Sequence, residues 1–159
     1  MLRPTFQTTQ THNRTWKTLT RVRRSRRLRD VSNWPWLMAK LILLDRDGVI
    51  NIDSPDSIRS AAQWFPIPGS LEAIAKLKHA GRLVGICSNQ SGIAKGLFDV
   101  SDLAEIETRL NDGLRALGSS IDFYCYCPHH PDAGCDCRKP KPGMLNDAMH
   151  ALNATPAET

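Results

Sequence analysis

Lys40-Leu-Ile-Leu-Leu-Asp-Arg-Asp-Gly48 is the stretch whose reading decides the fold. After Lys40, Leu41 to Leu44 form an apolar run too short for a helix and too continuous for a half-solvated strand. Such a run suits a parallel strand buried on both faces. It ends abruptly in a polar turn that carries Asp45 and Asp47.

The segments that follow repeat this alternation. Ser70 opens a helix whose apolar positions include Leu71, Ile74 and Leu77, and which ends near Gly81. Leu83-Val-Gly-Ile-Cys87 is a second strand, followed by a loop with Gly92 and Gly96. Ser101 caps a longer helix with Leu103, Ile106, Leu110, Leu114 and Leu117 on one stripe, stopped at Gly118. Ile121 to Cys125 reads as a third strand, and Met144, Leu145, Ala148, Met149 and Leu152 mark a final helix. Strands alternating with helices predict an α/β fold built on a doubly wound parallel sheet. Ligands of such sheets bind beyond the carboxyl ends of the strands. Asp45 and Asp47 follow the first strand, Ser88 and Asn89 the second, and a Cys/His-rich loop the third, so the unusual chemistry gathers at one edge.

Charge divides the chain in two. Of 159 residues with a net charge of +5, Met1 to Lys40 hold ten basic residues against Asp30 alone, and the remainder has 11 basic and 15 acidic ones. An acidic domain (38–159) therefore follows a basic leader (1–37), a pattern that marks a tail rather than a property of the fold. The leader reads as an arm for nucleic acid or an anionic surface, as an organellar transit peptide, or as an upstream start chosen in error before Met38. The last fits best, because the first convincing strand follows Met38 directly. No apolar run approaches the ~18 residues of a membrane-spanning helix.

Asp45 and Asp47 are expected to do more than line a solvated turn. Two carboxylates in one site repel, so they need a cation or a shared proton. With Mg²⁺ present, one can attack phosphorus while the other handles the proton. Ser88-Asn-Gln-Ser-Gly-Ile-Ala-Lys-Gly96 offers hydroxyl, amide and backbone donors for phosphate oxygens. Four of the five cysteines lie between Cys125 and Cys137. Cys127, His129, Cys135 and Cys137 form two close pairs that suit a structural zinc ion, a closed set with no open position for substrate. Cys125 and Cys87 are read as strand residues and His130 as a spare.

Leu43-Leu-Asp-Arg-Asp-Gly-Val-Ile-Asn51 resembles the first motif of the haloacid dehalogenase-like phosphatases, which have a Rossmann-type fold. The resemblance implies that Asp45 is the nucleophile of an aspartyl-phosphate mechanism and Asp47 the general acid/base. It implies catalytic Mg²⁺ held by the Asp45 side chain, the Asp47 main-chain carbonyl and an acid from a later motif. Ser88 matches the second motif, which bonds the phosphoryl group, and Asn89, Gln90 and Ser91 match substrate contacts. Tyr-Cys-Pro-His-His-Pro and Cys-Asp-Cys-Arg-Lys-Pro-Lys-Pro-Gly-Met resemble the zinc-loop subgroup acting on heptose 1,7-bisphosphates or histidinol phosphate. There Lys139 matches the third motif and Arg138 the recognition position. Asp53, Ser54, Pro55 and Asp56 align with the substrate loop, though Ser54, Pro55 and Asp56 depart from its commoner residues.

About 21 residues separate Gly48 from Ser70, too few for a separate cap domain. The resemblance implies removal of the C7 phosphate of D-glycero-D-manno-heptose 1,7-bisphosphate as the expected function. The resemblance places it in the cytoplasm, on the ADP-heptose route to lipopolysaccharide core. A monomer with a small phosphosugar partner and neither nucleic acid nor membrane is expected. Histidinol-phosphate phosphatase is the alternative. A zinc-loop nucleic-acid binder would leave Asp45, Asp47 and Ser88 unexplained. No fourth strand ending in Gly-Asp follows Leu152, so the chain is expected to be truncated before it. Weak or absent activity, an inactive phosphatase-derived protein and an exposed apolar sheet edge are the corresponding expectations.

Overall fold

The computed structural model describes residues 19–22 and 41–159. Arg23 to Arg29, Met38 and Lys40, on which the leader and start-site expectations rest, lie outside the described residues. The elements are β1 (Leu19–Val22), β2 (Leu41–Leu44), α1 (Ser70–His79), β3 (Leu83–Asn89), α2 (Val100–Ala116), β4 (Phe123–Cys127) and α3 (Gly143–Ala151).

One sheet has the order β1-β4-β3-β2. β2 runs parallel to β3 and β3 parallel to β4, with α1 and α2 as the crossovers. β1 joins the far edge antiparallel, Leu19 opposite Tyr126 and Val22 opposite Phe123. Residues 1–37 were read as a tail rather than part of the fold, so this four-residue strand is an addition to that reading. β2 lies at the other edge and pairs only with β3 among the described residues.

Alternation along the strands sorts two cores. Val84, Ile86, Tyr124 and Tyr126 face α1 and α2, where they pack with Ile74, Leu103, Ile106, Leu110 and Leu114. Cys87, Phe123, Cys125 and Cys127 face the opposite side and pack with Met144 and Ala148 of α3. Helices thus cover both faces, as the apolar strand runs require.

Several boundaries differ from expectation. β3 continues through Asn89 and β4 through Cys127, so Ser88, Asn89 and Cys127 sit on strand ends rather than in loops. Ser70 is the first residue of α1 and not its cap. Gly69 takes that position at φ +85°, and the Ser70 hydroxyl donates to the Ile50 carbonyl at 2.7 Å. Asp99, not Ser101, caps α2, accepting from the Ser101 and Asp102 amides while Asp102 accepts from the Asp99 amide. Proximity to the hydrophobic stripe favoured the serines. The carboxylate is the stronger acceptor for exposed amides at a helix N-terminus.

Gly143 sets how closely α3 approaches the cysteine loop. A Cβ there would overlap the Asp136 carbonyl oxygen and lie 2.9 Å from the Cys137 Cα, both backbone atoms with little room to yield. Gly143→Ala is expected to cost about 1–3 kcal/mol of overpacking. The thermal midpoint should then fall by roughly 3–10 °C, measurable by scanning calorimetry.

Candidate active site

Asp45 leaves the end of β2 with its side chain 39% exposed, and Lys139 Nζ lies 2.5 Å from its Oδ2. The other carboxylate oxygen accepts the Arg46 amide at 2.8 Å. Lys139 comes from the loop after β4, so two strand ends meet in this ion pair. Gly48 turns the chain back at φ +74°, a backbone region that other residues rarely adopt.

Asp47 points into a different environment. Arg46 grips it bidentately, Nε to Oδ1 at 3.0 Å and Nη2 to Oδ2 at 2.9 Å. Asn51 Nδ2 donates to Oδ1 at 3.0 Å and Gln90 Nε2 to Oδ2 at 2.8 Å. The Arg46 side chain is 1% exposed, against 22% for Asp47. A buried guanidinium needs a matched anion, and the fork-to-carboxylate geometry supplies one. The repulsion expected between Asp45 and Asp47 is therefore relieved by protein cations, Lys139 for one and Arg46 for the other. Four side-chain donors occupy the Asp47 carboxylate, which leaves its main-chain carbonyl as the natural ligand for any cation held jointly with Asp45.

Ser88, 1% exposed, sits at the end of β3 and its Oγ accepts from Gln90 Nε2 at 2.9 Å. Its hydroxyl proton is thereby turned away from Gln90. Asn89 meets the Lys139 backbone twice, accepting its amide at 3.1 Å and donating to its carbonyl at 3.2 Å. Arg138 Nη1 is buried with no hydrogen-bond partner. The Asp53–Asp56 loop hydrogen-bonds within itself, Asp53 to the Ser54 amide and Ser54 Oγ to the Asp56 amide. Its first residue lies beside the Asp47 turn, with the Asp53 Cβ 3.8 Å from where a Cβ on Gly48 would lie. Ser91 is half-buried in the turn after Gln90.

The thiols of Cys127, Cys135 and Cys137 and a His129 ring nitrogen lie within 4.8 Å of one another. The Cys127–Cys135 and Cys135–Cys137 sulfurs are 3.6 and 3.5 Å apart, and His129 Nδ1 is 3.6 and 3.2 Å from the Cys127 and Cys137 sulfurs. Tetrahedral Zn²⁺ with its usual bond lengths gives edges of about 3.6–3.8 Å, so this donor set fits zinc closely. Cys125 and Cys87 are buried in the core beside α3, as expected. Burial pushes the Cys87 thiol up to about 11, which leaves it protonated and unreactive at neutral pH. His130 is not among the four clustered donors, and its Nδ1 lies 3.4 Å from the Asp132 amide nitrogen and 3.3 Å from an Asp132 carboxylate oxygen.

The profile of the polynucleotide kinase 3 phosphatase family matches residues 18–158. The chain belongs to this family, among the haloacid dehalogenase-like phosphatases. A D-glycero-β-D-manno-heptose-1,7-bisphosphate 7-phosphatase from Pseudomonas aeruginosa is 53% identical over 105 residues, 66% of this chain and 59% of that protein. The crystal structure of D,D-heptose 1,7-bisphosphate phosphatase from B. bronchiseptica, complexed with magnesium and phosphate, superposes with a TM-score of 0.70. It is 46% identical and matched over 72% of this chain and 64% of its own. A chain from Mesorhizobium loti described as a had-like phosphatase also gives 0.70, at 34% identity over 87% of this chain and 66% of its own. The chain spans about three fifths of the length of the curated relatives it matches.

For a phosphatase of this family, the sequence placed Asp45, Asp47, Ser88 and Lys139 at one edge, and the structure joins Asp45 to Lys139 and Asp47 to Ser88 through Gln90. Arg46 and Asn51 were missed as members of the site. Both are buried, 1% and 0% exposed, and only a fold shows that a charged residue between two aspartates turns inward.

Proposed function

We propose that this phosphatase hydrolyses the C7 phosphate of D-glycero-D-manno-heptose 1,7-bisphosphate in the cytoplasm, with residues 38–159 as the catalytic unit. The observation that carries the reading is the Lys139–Asp45 pair, 2.5 Å apart at the carboxyl edge of the sheet and partly open to solvent. The names of the relatives support the substrate.

An Asp45 oxygen attacks phosphorus, the bond from phosphorus to the C7 oxygen breaks, and Asp47 delivers a proton to the departing alkoxide. Asp47 then takes a proton from water as that water attacks the aspartyl-phosphate, freeing phosphate and restoring Asp45. Lys139 and the Ser88 hydroxyl hold the phosphoryl oxygens, and Arg138 beside them receives the second anionic group. Mg²⁺, when held by the Asp45 side chain and the Asp47 carbonyl, would neutralise charge on the phosphoryl group. Its oxygen donors suit a hard cation, and the relative solved with magnesium and phosphate supports this cofactor.

The test is phosphate release by the full chain with Mg²⁺ on heptose 1,7-bisphosphate, histidinol phosphate and a 3′-phosphorylated oligonucleotide. Loss of the C7 phosphorus signal, with C1 retained, is expected by ³¹P NMR. Faster release from either competitor would overturn the assignment.

A further inference from the structure

We infer that Asn89 and Gln90 are positioning residues rather than substrate contacts, an inference that rests on the phosphatase reading above. Residues at the end of this strand were expected to meet substrate, but both amides are already used at both ends.

The hydrogen-bond chemistry fixes each amide's orientation. Arginine can only donate. Gln90 Oε1 must therefore face Arg46 Nη2, at 3.1 Å, which leaves Nε2 to donate to Asp47 Oδ2, at 2.8 Å. Its second amide proton goes to Ser88 Oγ at 2.9 Å. Gln90 is 4% exposed, and its own amide is anchored by the Cys127 carbonyl at 2.8 Å. One buried side chain thus sets the Asp47 carboxylate and, by occupying an acceptor position on Ser88, directs the serine proton elsewhere. Asn89 is equally unambiguous. Its oxygen takes the Lys139 N–H and its nitrogen meets the Lys139 carbonyl. This pair of bonds spans 50 residues of sequence and holds the backbone under the lysine that reaches Asp45.

The two consecutive side chains divide the work. Asn89 fixes the cation beside Asp45, while Gln90 fixes the proton-handling carboxylate and the serine hydroxyl. Each amide is held at both its oxygen and its nitrogen by groups of the protein itself. Misplacement by about 1 Å can cost ~10²-fold in rate without touching the ground-state complex.

Steady-state kinetics on heptose bisphosphate and on p-nitrophenyl phosphate, which has no sugar to recognise, separate the roles. Asn89→Ala and Gln90→Ala are expected to lower kcat by about 10–100-fold on both substrates alike, with KM changed less than about twofold. Asn89→Asp keeps the acceptor and should recover part of the rate. A rise in KM confined to the heptose substrate would overturn the inference. Hydrogen exchange supplies a readout independent of turnover: the Lys139 amide should be protected in the parent chain and in Asn89→Asp, and exposed in Asn89→Ala. An unprotected Lys139 amide in the parent overturns the positioning role even if the chain is active. Failure of the parent to release phosphate from either substrate overturns the phosphatase reading instead.

Discussion

Asp45→Asn is expected to abolish phosphate release, by on the order of 10⁴–10⁶-fold relative to the parent chain, as nucleophile removal does in other hydrolases. The asparagine keeps the size of the side chain and an acceptor for the Arg46 amide, but its amide oxygen is too weak a nucleophile to attack phosphorus. The loss should not come from unfolding. The pair with Lys139 is more than a third exposed on the Asp45 side, so solvent screens it and its removal costs at most about 1 kcal/mol. The thermal midpoint should therefore shift by only a few degrees.

Asp47→Asn separates the two carboxylates. With p-nitrophenyl phosphate the leaving phenolate needs no proton, so formation of the phosphoenzyme survives while its hydrolysis loses its base. Acid quenching with labelled substrate should trap label on Asp47→Asn and none on Asp45→Asn. Label on both variants would place the covalent bond elsewhere.

What the sequence made legible follows from what its patterns encode. The strand at Leu41–Leu44 and the stripes of α1 and α2 record burial, and burial is periodic in sequence. The turn chemistry at Gly48, Gly81 and Gly118 was equally visible, all at positive φ. The cysteine loop could be read because metal ligation demands particular residue types at short spacing. The inward turn of Arg46 had no such trace, since a charged residue beside two aspartates reads as solvated until Gln90 and Asn51 are seen around it. Asn89 and Gln90 were recognised, but not the direction of their amides. That direction depends on Lys139 and Asp47, 50 and 43 residues away. The strand ends were misjudged by two residues because Ser88, Asn89 and Cys127 are polar or metal-binding in type yet still belong to the ladder.

Removal of the zinc site is expected to cost both stability and catalysis. In Cys137→Ser the four-donor set loses a ligand bonded at about 2.3 Å, and zinc content should fall from about one ion per chain to near zero. Structural zinc contributes folding free energy directly. Losing even about 3 kcal/mol of it would lower the thermal midpoint by roughly 10 °C in a domain of this size. The catalytic consequence follows from connectivity. Cys137 lies two residues before Lys139, and the Cys127 carbonyl receives the Gln90 amide at 2.8 Å. The metal loop therefore holds the lysine beside Asp45 from one side and the glutamine beside Asp47 from the other. Chelation of the parent chain should reproduce both losses, and zinc, but not Mg²⁺, should restore the midpoint. Full activity in zinc-free protein would show that the β4 end and the Asn89 clamp position Lys139 without the metal.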